Sequence, residues 1–280
     1  MTGIPTTFTT TATTVLSRLT RSVQLVYTPH DHWPLPPNHH HPNHTLRISV
    51  LDSSFNPPTL AHLALATAPS APASDARLLL LSTTNADKTP KLGDASPLQR
   101  LHMMYLLAQD IEPFTHNVAI AIIDEPTFVG KSTALLAFLR PRLVALTLPP
   151  PPTPTLSFLL GTDTLQRIFT PRYYPSEDAM LAALRFFFDV DNNCLVCARR
   201  DPASYPPSNG PPPTAEGIPL AATPFLRSDK ISLIDIGPEE QAYSSSLVRQ
   251  GRGSLSGGWR KLVSERVARY LVENHMYGLD

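Results

Sequence analysis

The sequence predicts an α/β protein: one doubly wound parallel sheet, a single domain carrying proline-rich insertions. Three observations carry this expectation. Six apolar runs of strand length recur between Leu46 and Ile236, and most are separated by segments whose apolar residues have helical spacing. Such alternation asks for right-handed crossovers and parallel pairing. Proline accounts for 31 of 280 residues and is clustered, which locates the loops between the runs. A chain of this length buries one large core or at most two modest ones, and no internal repeat divides it.

The elements follow in order. Ala12 to Arg21 reads as a short helix and Ser22 to Tyr27, SVQLVY, as a strand, together an N-terminal extension within 1–45 that precedes a main domain at 46–280. The first 29 residues are threonine-rich, carry Arg18 and Arg21 and hold no acidic residue, a composition shared with mitochondrial transit segments; SVQLVY favours a structural role instead. Pro29 to His44 contains six histidines, but its prolines prevent a regular ligand face, and it reads as a solvated linker. Residues 46–52 (LRISVLD) form a buried strand and 60–68 (LAHLALATA) a helix. Residues 76–84 are the next strand, 98–110 a helix, 118–124 a strand, 132–140 a helix, and 156–163 a strand ending at Gly161-Thr-Asp163. A helix over Leu181 to Phe187 precedes strands at 193–200 and 231–236. A short helix from Ser244 to Gln250 and an amphipathic helix over 262–275 close the chain. LPPPPTP (148–154) and YPPSNGPPPTAEG (205–217) are extended surface loops.

Composition narrows the function. Twenty-three basic residues balance 23 acidic ones, which gives no electrostatic case for a nucleic-acid or membrane partner. No apolar run reaches the ~18 residues of a membrane-spanning helix. Cys194 and Cys197 have C-x-x-C spacing, but they lie in the strand-like run CLVC rather than opening a helix, and no second ligand pair is near. Alternation along a buried strand in a reducing compartment accounts for them.

The stretch L51-D-S-S-F-N-P-P-T-L-A-H62 is not explained by packing. In a doubly wound sheet ligands sit beyond the carboxyl ends of the strands, where the turn after Leu51 falls. Ser53, Ser54, Phe55 and Asn56 are placed to turn main-chain N–H groups toward an anion, a helix from about Pro58 adds its positive end, and His62 follows one turn in. Near the other end, Y243-S-S-S-L-V-R249 offers hydroxyls to cap a helix and an arginine able to grip a phosphate with two donors.

These two segments resemble the (H/T)-x-G-H and I-S-S-T-x-x-R signatures of the nucleotidylyltransferase superfamily, and S-F-N-P is closest to its nicotinamide/nicotinate mononucleotide adenylyltransferases. The resemblance runs from Leu46 to Gly278. Lys88 followed by R100-L-H-M is similar to a lysine-then-R-L-x-M segment, G161-T-D163 to a G-A-D motif, Tyr174 stands at the spacing of a ring-stacking tryptophan, and CLVCARR is similar to a strand ending in an arginine, here Arg200. The D-S-S-F-N-P-P-T form with its N-terminal extension looks most like a fungal branch. The sequence departs from the pattern where Ser53 replaces glycine, Thr59 the first histidine, Ala61 the motif glycine and Tyr174 tryptophan; Phe128 is the nearest aromatic for a second stacking ring, with Ser132 or Thr133 beside it.

The resemblance implies a Rossmann-like fold and adenylyl transfer, in which a mononucleotide phosphate attacks the α-phosphorus of ATP and yields a dinucleotide and pyrophosphate. His62 and Arg249 are implied as catalytic. Ser53, Ser54, Phe55, Thr59, Ser245 and Ser246 join them around ATP; Ser54, Lys88 (or Lys91), Gly161, Asp163, Tyr174 and Arg200 surround the mononucleotide. Mg²⁺ is expected to arrive with ATP, with no protein-held metal, no nucleic-acid partner and no membrane. The implied setting is cytoplasmic or nuclear, with a mitochondrial one as the alternative. No motif fixes oligomeric state or the choice between amide and acid substrates. Two rival readings stand beside this one: a nucleotide-binding sensor or interaction module without efficient transfer, and another adenylyl- or cytidylyltransferase of the same fold.

Overall fold

The computed structural model describes residues 3–19, 22–36, 45–68, 73–84, 93–147, 150–199, 218–251 and 257–279. Seven strands form one sheet in the order β1 (Gln24–Tyr27), β4 (Val118–Ile123), β3 (Ala76–Ser82), β2 (Thr45–Asp52), β5 (Thr153–Gly161), β6 (Cys194–Ala198), β7 (Ile231–Ile234). All neighbouring pairs are parallel except β1 on β4, which is antiparallel. The expected α/β, Rossmann-like sheet is therefore present, with one antiparallel edge strand added by the N-terminal extension.

Alternation along the strands explains the two layers. Leu46, Ile48 and Val50 of β2, Leu78 and Leu80 of β3, and Leu156, Phe158 and Leu160 of β5 face one core, whereas Leu51, Leu79, Leu81 and Leu159 face the other. A strand buried on both sides reads as a continuous apolar run, as these do. The first core is covered by α4 (Phe128–Leu146), α5 (Thr162–Ile168), α6 (Glu177–Arg185) and α7 (Thr223–Arg227); the second by α1 (Thr6–Ser17), α2 (Leu60–Thr67) and α3 (Pro97–Ile111). A third cluster packs α9 (Glu265–Glu273) and Trp259 against the outer face of α3 through Met103, Leu106 and Leu271.

Several boundaries differ from the expectations. The first helix spans Thr6–Ser17 rather than 12–21, because Phe8 and Ala12 are its buried residues; Phe8 sits 4.7 Å from the Tyr105 ring and 6.4 Å from that of Tyr27. The helix expected at 132–140 starts four residues earlier and passes through Pro141. Its far end is held by Arg142, which donates to the carbonyls of Trp33 (2.6 Å) and Asp31 (2.8 Å). Two short helices, α5 and α7, were not expected, since neither is long enough to show a period. Cys194 and Cys197 are free and lie three residues apart on β6, so they point to opposite faces, and burial raises the Cys197 thiol to about 12. They form no redox or metal pair.

The chain winds from β2 through β3 to β4, then crosses by α4 to β5 on the other side of β2. The winding direction thus reverses between β2 and β5. Ligand crevices of doubly wound sheets open at this reversal, outside the carboxyl ends of the strands. Asp52 ends β2 there and Gly161 ends β5.

Candidate active site

The turn leaving β2 is tied down at both ends. The Ser53 N–H donates to the Leu80 carbonyl at 3.3 Å, so it extends the sheet and does not face an anion, contrary to the expectation for that group. The N–H groups of Ser54 and Phe55 have no hydrogen-bond acceptor among the described residues. Phe55 adopts φ +44°, a left-handed conformation that side chains other than glycine occupy at a cost, and its ring is fully buried. Asn56–Pro57 is a cis peptide. Helix α2 begins at Leu60 with Thr59 as its N-cap, so Pro58 precedes the cap instead of starting the helix.

His62 is the third residue of α2 and reaches back over the helix start. Its Nδ1 accepts the Thr59 N–H at 3.0 Å and lies 2.9 Å from Thr59 Oγ1. Accepting through Nδ1 places the ring proton on Nε2, which is 3.0 Å from Ser53 Oγ. Burial lowers the His62 pKa to about 4, with Asp163 opposing the shift, so the ring is neutral near pH 7. Thr59 thus fixes the tautomer and the aim of a half-buried Nε2–H donor, and the Phe55 ring, 5.6 Å from the imidazole, backs it.

The second segment docks onto the same turn. Helix α8 (Ser245–Gln250) is capped by Ser244 Oγ, which accepts the Leu247 N–H at 3.3 Å. Ser245 Oγ donates to the Pro57 carbonyl at 2.7 Å, and Arg249 donates to the Asn56 carbonyl and, at 3.3 Å, to Ser246 Oγ. The side chain of buried Asn56 is the hub beneath. It donates to Asp94 Oδ1 (2.8 Å) and accepts from the Ala95 N–H (3.0 Å) and Tyr277 Oη (2.6 Å). Arg100 joins from α3, with Nε on the Ala95 carbonyl at 2.9 Å and Nη2 3.8 Å from Asp94 Oδ2. Burial raises the Tyr277 phenol above its usual range, while Arg249 and Arg100 pull the other way.

Across the crevice, Gly161 caps α5 and Asp163 sits in its first turn, 3.8 Å from Arg167. A side chain at Gly161 would bring a Cβ within 3.0 Å of Asp163 Oδ1. Tyr174 is half-buried against the first core; its hydroxyl donates to the Ile168 carbonyl at 2.9 Å, and burial raises its pKa to about 12. The phenol is neutral and its ring plane fixed. Phe128 opens α4, its ring 5.6 Å from that of Phe158, and Ser132 Oγ accepts from Asn193 at 2.7 Å. Thr133 turns its hydroxyl to the Val129 carbonyl. Lys88, Lys91 and Arg200 lie outside the described residues.

One pair at this crevice has no counterpart in the sequence reading. Lys131 Nζ lies 2.6 Å from Asp52 Oδ2, the two side chains 6% and 8% exposed. The same ammonium lies 5.1 Å from the centre of the Phe128 ring. The available signal was a lone lysine in the otherwise uncharged start of α4, FVGKSTALL. Its partner, 79 residues away, was not readable. Among the described residues no three His, Cys, Asp or Glu side chains group as metal ligands, and no helix is long and apolar enough to cross a membrane.

Comparison with known proteins gives a consistent picture. No protein-family model matches the chain. A Schizosaccharomyces pombe protein named "Putative nicotinamide mononucleotide adenylyltransferase" is 36% identical over 156 residues, 55% of this chain and 53% of that one. The chain therefore matches about half the length of this curated relative. Two structures of a Plasmodium falciparum nicotinic acid mononucleotide adenylyltransferase share the fold. The one complexed with NaAD has a TM-score of 0.51 at 15% identity, covering 84% of this chain and 98% of the other. The one complexed with APC has a TM-score of 0.53 at 16% identity, with the same coverage.

Proposed function

We propose that this chain is a nicotinamide/nicotinate mononucleotide adenylyltransferase that transfers the adenylyl group of ATP to a pyridine mononucleotide and releases pyrophosphate, a reading supported by its 36% identity over 156 residues to the Schizosaccharomyces pombe protein and by the shared fold. The observation that carries the proposal is the joint geometry of the two terminal segments. Arg249 and Ser245 grip the backbone of the turn that leads into the helix aiming His62, so two cationic or N–H donors 187 positions apart in sequence serve one mouth.

In the proposed reaction a phosphate oxygen of the mononucleotide forms a bond to the α-phosphorus as the bond to the β-phosphate oxygen breaks. The monoester is ionised near neutral pH, so no proton need be removed from the nucleophile. The obstacle is repulsion between two anions and their alignment, and fixed donors address both. Nε2–H of His62 donates to a triphosphate oxygen in place of Ser53 Oγ. Arg249 turns from the Asn56 carbonyl to the phosphates, with Ser245, Ser246, Thr59 and the free N–H groups of Ser54 and Phe55 around them. Asp163 accepts from a ribose hydroxyl beside Gly161, and the fixed Tyr174 ring stacks on the pyridine. Lys88 and Arg200 are assigned to the mononucleotide on the resemblance alone. Mg²⁺ enters as part of the MgATP substrate.

Incubation of the protein with ATP, Mg²⁺ and either nicotinamide or nicotinate mononucleotide tests the proposal. Formation of the matching dinucleotide is expected; a protein that binds ATP but makes no dinucleotide from either substrate is a binding module instead.

A further inference from the structure

Lys131 and Asp52 form an ion pair at the reversal point of the sheet, where the crevice opens. Asp52 immediately precedes the phosphate turn, and Lys131 stands on the first turn of the crossover helix. An ammonium has three donors. Among the described residues that of Lys131 uses one, on Asp52 at 2.6 Å, although its side chain is only 6% exposed. The ammonium also sits over the Phe128 ring, which takes up part of its charge; Asp52 is its one oxygen acceptor among the described residues, and the remaining donor capacity points to an oxygen that a ligand brings. The helix start that holds the lysine is stiffly built: Thr127 Oγ1 accepts the Gly130 N–H at 3.1 Å, Glu125 Oε1 accepts both the N–H (3.0 Å) and the hydroxyl (2.7 Å) of Thr127, and a Cβ at Gly130 would fall 2.3 Å from that oxygen. The ammonium lies over the half-buried Phe128 ring, 5.1 Å from its centre, so the ring holds the lysine in place at the helix start.

We infer that the Asp52–Lys131 pair receives the ring substituent of the pyridine mononucleotide and sets the choice between amide and acid. This rests on the adenylyltransferase reading. The two substituents share a carbonyl-type oxygen that Lys131 can donate to, and differ by one negative charge. With Asp52 in place the pair is neutral overall, so the field at the substituent is weak and both substrates are accepted. Removing Asp52 leaves a cation that favours the carboxylate; removing Lys131 leaves an anion that repels it.

The test measures Kd and kcat/KM for nicotinamide and nicotinate mononucleotide with the intact chain, Asp52→Asn, Lys131→Met and the double variant. Wild type is expected to handle the two within about tenfold. D52N should shift the acid-to-amide ratio toward acid, and K131M toward amide, each by roughly tenfold or more. The double variant guards against misfolding from a lone buried charge and should return the ratio to near the wild-type value. Unchanged ratios in folded single variants overturn the inference, as does a wild type that rejects one substrate outright. If the wild type binds both mononucleotides without turning them over, the transferase proposal fails while the Kd ratios still decide the role of the pair. If it binds neither, both fall.

Discussion

His62 shows what one residue must give up to be a good donor. By using Nδ1 on the Thr59 N–H it loses the freedom of the ring to flip, and gains a proton held on Nε2 in a known direction. Replacing it with alanine removes that donor and also the bond that Nδ1 accepts from the Thr59 N–H at the start of α2. His62→Ala is expected to lower turnover about 10²–10³-fold with an unchanged circular-dichroism spectrum; a variant within a few-fold of wild type removes His62 from the mechanism. The lowered pKa has a second consequence. The ordinary value of 6.5 belongs to the unfolded chain and about 4 to the folded one, so between them the unfolded state binds the extra proton. The stability contributed by neutral His62 is thus complete above pH 6.5 and is lost as pH falls toward 4. Relative to His62→Ala, wild type should lose melting temperature over that range, and a constant difference between the two would contradict the burial. That His62 and Arg249 lie in two helix-start segments was legible, because S-F-N-P-P-x-x-x-H and S-S-x-x-R keep fixed local spacing. The contact of Ser53 with Nε2 was not: it shows the serine, in the place of a glycine, occupying the position a phosphate oxygen is proposed to take. Lys131, Asp52 and the Asn56–Tyr277 contact were equally hidden, since each depends on a partner 79 or 221 positions away.

Among the elements, the turn between β2 and α2 is held from three directions: by β3 through Leu80, by α8 through Ser245 and Arg249, and by the C-terminal Met276–Gly278 turn through Tyr277. The last contact makes the tail a positioning device for Asn56, whose carbonyl Arg249 holds. Tyr277→Phe keeps the ring and deletes one buried hydrogen bond, so a loss of about 1 kcal/mol in unfolding free energy is expected. If the tail positions the turn, the KM for ATP should also rise several-fold; an unchanged KM alongside the stability loss would confine Tyr277 to packing. Long apolar strands and helices were readable from composition, because burial on both faces leaves an uninterrupted signal. Short helices such as α5 and α7 were not, having five to seven residues and no repeat to detect. The passage of α4 through Pro141 was missed for another reason: the far end of that helix is held by Arg142 on Trp33 and Asp31, a tertiary contact that outweighs a local breaker.

Across the whole molecule, the N-terminal segment is part of the folded unit. Phe8 packs into the second core against Tyr105 and Tyr27, Thr9 Oγ1 lies 3.1 Å from His102 Nε2, and His102 Nδ1 lies 3.0 Å from the Tyr270 hydroxyl, linking α1, α3 and α9. Phe8→Ala should cost about 3 kcal/mol of stability, read as a lower denaturant midpoint; a change under ~0.5 kcal/mol would mean that α1 contributes little to the folded state. The same connectivity brings residues from the two ends of the chain to one crevice, with β2 at the centre of the sheet and α8 and the C-terminal turn closing over it. That convergence is the physical basis of the proposed transfer. It is tested most directly by following ATP labelled at the α-phosphorus during incubation with Mg²⁺ and a pyridine mononucleotide. Appearance of the label in the dinucleotide, with unlabelled pyrophosphate released in equal amount, is the expected result; label that stays in ATP, or emerges as free AMP, would contradict it.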